Sequence, residues 1–105
     1  MVKNKSIIYI RQEVISMQDR EYIATFNSTH HALTFERAAK NCNLKIIIMP
    51  VPRSIKASCG LAIKFSEDAL DDIKSLINEK NLNYSGLYKI EDSNGKKDYI
   101  KMLQI

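Results

Sequence analysis

Cys59 is the side chain in this sequence best placed to do chemistry. It stands near the end of Pro50-Val51-Pro52-Arg53-Ser54-Ile55-Lys56-Ala57-Ser58-Cys59-Gly60, just before the apolar run Leu61-Ala62-Ile63. A free cysteine has a pKa of about 8.5, so little of it is thiolate at neutral pH. Helix N-termini and nearby cations lower that value and create a nucleophile. Arg53 is always charged and can pair with an anionic sulfur species. Gly60 has no Cβ, so a partner's sulfur can approach its backbone closely. Pro50 and Pro52 stiffen one side of the loop and remove two N–H donors. The set suits a thiolate that accepts, holds and gives up a sulfur or selenium atom. The second thiol, Cys42, follows Ala32, Phe35 and Ala39 at helical spacing, with Ala38 beside them, and is expected in the core.

The elements that must position these residues read as follows. Tyr22-Ile23-Ala24-Thr25-Phe26 is a strand by composition. Asn27, Ser28 and Thr29 are good N-cap residues for the helix that follows, which Asn41 or Asn43 can end in a left-handed conformation. Ile46-Ile47-Ile48-Met49 predicts a short buried strand, stopped by Pro50 and Pro52. Leu61 to Phe65 is the next strand. Ser66-Glu67-Asp68 opens a second helix with the apolar stripe Ala69, Leu70, Ile73, Leu76 and Ile77. Leu87-Tyr88-Lys89-Ile90 reads as a last strand and Asp92-Ser93-Asn94-Gly95 as a turn. The fold class is α+β. The order strand, helix, strand, strand, helix, strand is the ferredoxin-like split βαβ pattern, βαββαβ, an antiparallel sheet with two helices on one face.

Conditional on that pattern, sequence-remote residues converge. Ser28, Thr29, His30 and His31 at a helix start meet Arg53, Lys56, Ser58, Cys59 and Gly60. His30 and His31 read as exposed histidines of a capping region; the sharper reading makes one of them a proton shuttle or thiolate partner. Cys42 falls at the opposite end, which excludes a Cys42–Cys59 disulfide. Adjacent histidines with one thiol fall short of a zinc site, so no metal is expected.

Composition bounds the rest. The chain has 105 residues, 45% hydrophobic and 27% charged, which fits one globular domain and not a disordered chain. Two cysteines cannot build a disulfide scaffold. Ile7, Ile10, Val14 and Met17 fall at helical spacing, so an amphipathic helix over 6–18 is expected, resting on the domain or on another copy of the chain. The organisation reads as an extension at 1–20, the ferredoxin-like carrier domain at 21–92 and a C-terminal tail at 93–105. Neither a signal-peptide core nor a membrane span is legible, so a cytoplasmic location is expected. There cysteines stay reduced. Formal net charge is +4, and residues 37–64 hold Arg37, Lys40, Lys45, Arg53, Lys56 and Lys64 with no acid. That block reads as a solvated surface or, functionally, as a site for an anion or acidic partner.

Three stretches resemble one family. They are Tyr22-Ile23-Ala24-Thr25-Phe26-Asn27-Ser28-Thr29-His30-His31-Ala32-Leu33, Val51-Pro52-Arg53 and Ser58-Cys59-Gly60-Leu61-Ala62-Ile63. Together they resemble the selenium/sulfur (Se/S) carrier protein-like family of small bacterial domains. Some members are fused to, or encoded near, sulfurtransferase-like and selenium-metabolism proteins. The resemblance runs from residue 22 to about 90. It puts the family's cysteine on Cys59, with Gly60 beside it and Arg53 in the same loop. It implies a sulfurtransferase-like carrier that holds a persulfide or perselenide on Cys59. Its partners would be a cysteine desulfurase or other sulfur or selenium donor, and an acceptor protein.

Two other classes compete. One is a ferredoxin-like regulatory or ligand-binding module without thiol chemistry. The other is RNA binding, which needs strand aromatics as stacking platforms. Tyr22, Phe26 and Phe65 are present, but without a Gly-flanked aromatic motif, so nucleic acid is not the expected partner. No Gly-rich phosphate loop, nucleophilic-serine motif or dinucleotide fingerprint is legible. This argues for a carrier rather than a turnover enzyme, and no cofactor is expected.

Overall fold

The β-branched and aromatic run at Tyr22 forms the first strand of a computed structural model that describes residues 20–102. The expected helix at 6–18 lies outside the described residues. The elements are β1 (Glu21–Thr25), α1 (Thr29–Asn41), β2 (Ile47–Pro50), β3 (Leu61–Ser66), a 3-10 turn (Glu67–Ala69), α2 (Leu70–Lys80), β4 (Gly86–Ser93) and β5 (Lys96–Met102). The protein is α+β, with two helices and a five-stranded sheet in the order β2-β3-β1-β4-β5. Every neighbouring pair is antiparallel.

Strand alternation builds the core. Tyr22 and Ala24 on β1 share a face with Ile63 and Phe65 on β3 and Leu87 on β4. Against that face pack Ala32, Phe35 and Ala39 of α1 and Ile73, Leu76 and Ile77 of α2, the stripes expected from their spacing. Phe26 and Phe35 meet edge to face, with ring centroids 5.2 Å apart.

Helix ends follow local chemistry. Ser28 Oγ accepts the His31 N–H at 3.1 Å, as an N-cap should. Asn43 past α1 (φ 60°) and Asn81 past α2 (φ 50°) take the left-handed conformation that stops a helix. Ser66 sits at the expected start of the second helical segment but makes no capping side-chain bond, and the chain enters α2 through the 3-10 turn.

Three expectations are corrected. Ile46–Met49 is not a buried strand: β2 is a sheet edge, paired only with β3 among the described residues, and Ile47 is 57% exposed. A strand with one neighbour buries alternate residues only, and Pro50 is tolerated there because an edge N–H needs no ladder partner. Cys42 is exposed, not in the core, because α1 stops at Asn41 before the stripe reaches it. The stretch expected as a C-terminal tail carries a strand. Lys96–Met102 pairs along β4 through a turn with Asn94 at φ 53° and Gly95 at φ 82°. Two successive positive φ values are what a tight hairpin requires.

Tyr22 gives the fold a pH-dependent element. It is buried and stacks on Phe65 at 5.8 Å. Burial first, and then the Glu67 carboxylate, raise the pKa of its phenol above the ordinary 10.0, against a smaller opposing pull from Arg20. The folded state therefore holds this proton more tightly than the unfolded chain. The contribution of Tyr22 to stability is constant below about pH 10 and is lost as pH rises from there through the raised value. Denaturant midpoints across alkaline pH should show that fall, and Tyr22→Phe should reduce it.

Candidate functional site

The site forms where three connections meet at one end of the sheet. β1 ends at Thr25 and α1 starts at Thr29, while the long loop after β2 returns to open β3 at Leu61. The Cys59 N–H donates to the Phe26 carbonyl at 3.4 Å, which ties the loop to the β1–α1 turn. Val51 N–H donates to Gly60 C=O at 3.0 Å and closes the base of the loop. Ile55 N–H donates to Pro52 C=O at 3.0 Å, forming the turn that carries Arg53. Ile55 is 7% exposed, the one buried large side chain between Pro52 and Ser58, and it anchors an otherwise polar stretch.

The sulfur has defined partners. Cys59 Sγ accepts the Leu61 N–H at 3.3 Å and lies 3.8 Å from Thr29 Oγ1, in the first turn of α1. A helix's first four N–H groups lack intrahelical acceptors, and Ser28 takes only that of His31. The sulfur thus sits beside a backbone donor, a hydroxyl and the start of α1. It is also 5% exposed and packed within the core cluster.

The other expected residues divide. Thr29 is the side chain brought to the cysteine. Ser28 caps α1, so its hydroxyl is already engaged. Ser58 and Gly60 flank Cys59 and are exposed, and a Cβ at Gly60 would meet nothing within 4 Å. Arg53 is exposed and forms no ion pair among the described residues. His30 and His31 have ring centroids 6.1 Å apart and line a cavity of about 170 Å³ with Thr34, Lys80 and Asn81, which does not include Cys59. His31 Nδ1 is buried without a hydrogen-bond partner among the described residues. The described residues hold no group of three or more His, Cys, Asp and Glu side chains arranged to bind a metal ion.

Sequence reasoning missed two contributors. The Leu61 N–H has no sequence signal, because a strand register must be known before its first donor can be assigned. Ile55 did have one: a lone large aliphatic in a loop of Pro, Arg, Ser, Lys and Ala. On the neighbouring strand end, Thr25 C=O accepts the Ser85 N–H at 2.7 Å and the two hydroxyls lie 2.9 Å apart. This clamp holds β1 and the entry to β4 together beside the site.

No helix among the described residues is long and apolar enough to cross a membrane. Comparison with curated proteins and with solved structures yields no match. Residues 21–89 match the family model described as "Putative Se/S carrier protein-like", a span covering β1 through most of β4 and including Cys59 and Arg53. With well over half of its length matched, the chain belongs to the Se/S carrier protein-like family.

Proposed function

We propose that this protein carries a sulfur or selenium atom on Cys59, as a persulfide or perselenide, and relays it from a donor protein to an acceptor. The observation that carries the reading is the setting of Cys59 Sγ. It receives the Leu61 N–H at 3.3 Å and stands 3.8 Å from the Thr29 hydroxyl at the start of α1. Family membership supports the same reading. In loading, the Cys59 thiolate attacks the outer sulfur of a donor persulfide. A new S–S bond forms, the donor's S–S bond breaks, and the donor cysteine leaves as thiolate. Delivery is the same exchange with the acceptor as nucleophile, so no external oxidant or reductant is consumed. The atom rests as an anionic terminal sulfur that Leu61 N–H and Thr29 are placed to receive, with Arg53 as a counter-charge within the same loop. A cytosolic setting, where thiols remain reduced, suits this chemistry. We read the strand order, with β1 between β3 and β4, as the ferredoxin-like arrangement extended by β5.

A second reading is favoured by the burial of Cys59 in the core cluster: a ligand-binding or regulatory module without thiol chemistry. In that case Cys59→Ala would leave every binding property intact.

Incubation with a cysteine desulfurase and cysteine, followed by intact mass measurement, separates the two. The carrier gains the mass of one sulfur atom, and a thiol reductant removes it. If no labile adduct forms from the desulfurase or from inorganic polysulfide, the carrier reading fails.

A further inference from the structure

Carboxylates are absent from the segments that form the Cys59 end. The three segments at the Cys59 end, residues 27–31, 50–60 and 81–85, contain Arg53, Lys56, His30 and His31 and no carboxylate. Lys80, which follows Glu79 at the end of α2, adjoins them in the cavity shared with both histidines. The opposite end is of mixed sign: Glu67, Asp68, Asp71, Asp72, Glu91 and Asp92 stand there with Arg20, Lys40, Lys45, Lys96 and Lys97. The four ion pairs among the described residues are Arg20–Glu67, Lys40–Glu36, Lys64–Glu21 and Lys89–Glu91. Arg53, Lys56 and Lys80 take part in none of them. Arg53 and Lys56 are exposed and precede Cys59 in the same loop.

From this we infer that the Cys59 end docks a sulfur-donor protein surface in which carboxylates ring the persulfide cysteine. The inference rests on the carrier reading and supplies the chemistry of its partner. Unpaired, exposed cations around a reacting group attract an acidic surface and raise its encounter rate, most strongly at low ionic strength. The cations stand on the loop between β2 and β3 and at the end of α2 rather than inside one enclosed pocket, which fits a macromolecular surface. A protein is favoured over RNA because the same three segments offer one aromatic side chain, Tyr84, too few for a stacking platform.

Two synthetic persulfidated peptides test this, identical except that aspartates or lysines flank the persulfide cysteine. Each is mixed with the full chain, and the rate of sulfur gain is followed by mass. At low salt the aspartate peptide should load the protein about tenfold faster or more. That ratio should shrink toward unity in high salt, and it should also fall in Lys56→Glu. Equal rates from the two peptides at low salt would overturn the inference while leaving the carrier reading intact. So would a ratio unchanged by Lys56→Glu, or salt-sensitive binding of single-stranded RNA with no peptide preference. Transfer from neither peptide nor polysulfide would overturn the carrier reading, and this inference with it.

Discussion

Cys59→Ser protein, offered a desulfurase and cysteine, gains no labile sulfur. A neutral hydroxyl is a far weaker nucleophile than a thiolate, and it has no exchange chemistry through which to hold and release a sulfur atom. The loss should be complete rather than graded. It should also be separable from unfolding. A serine oxygen can still accept the Leu61 N–H that now reaches Sγ, and Thr29 Oγ1 stands close enough to pair with it after a small shift. Burying a hydroxyl where a thiol packed costs about 1–2 kcal/mol when a partner is available. The variant should therefore fold, with a modestly lower denaturant midpoint. Cys42→Ser is the control. Cys42 is exposed beyond the end of α1, so its replacement should change stability by less than about 0.5 kcal/mol and leave loading intact. The reverse pattern, loading lost in Cys42→Ser and kept in Cys59→Ser, would move the carrier role to the other thiol.

The largest loss of stability should come from Phe35→Ala. Phe35 is fully buried on α1 and meets Phe26 edge to face. Removing the ring forfeits its burial and leaves a cavity that surrounding residues fill only in part, typically about 3–5 kcal/mol. A domain of this size has only about 5–15 kcal/mol in total. The consequence reaches the site. Phe26 carries the carbonyl that accepts the Cys59 N–H, so a void between Phe26 and Phe35 loosens the contact between the β1–α1 turn and the cysteine loop. Denaturant unfolding should show a lowered midpoint with the slope retained. Ile47→Ala, at an exposed edge position, should cost far less. A loss below about 1 kcal/mol in Phe35→Ala would contradict the packing described here.

The contrast between legible and illegible parts of the chain has physical causes. The start of α1 was readable because its signals are local: Ser28 must supply an oxygen to an orphan N–H, and Ala32, Phe35 and Ala39 recur at the helical period. The approach of Thr29 to Cys59 was readable at one remove, since it follows once the element order is known. β5 was not legible. Lys96-Lys97-Asp98-Tyr99-Ile100-Lys101-Met102 lacks a clean alternation, and the strand exists because β4 offers it a pairing edge through the Asn94-Gly95 turn. The placement of Cys42 failed for a similar reason. Spacing extends a stripe indefinitely, whereas Asn43 at φ 60° shows where the helix has already stopped. Exposure of β2 depended on its place at the sheet edge, a tertiary fact that the run Ile46–Met49 does not encode. At the site itself the residue types were legible, and the distances that rank them were not. Thr29 reaches the sulfur, while Ser28 spends its hydroxyl on the helix cap.

The most direct test locates the sulfur in the wild-type chain. Trypsin cuts after Lys40, Lys45, Lys56 and Lys64, so the two thiols separate into peptides 41–45 and 57–64, each with one cysteine. After loading, alkylation without reductant traps any persulfide, and peptide masses report which cysteine holds the extra atom. The trapped sulfur should appear on peptide 57–64, with Cys42 recovered as a simple alkylated thiol. An extra sulfur confined to peptide 41–45, or distributed equally between the two, would contradict a dedicated carrier role for Cys59.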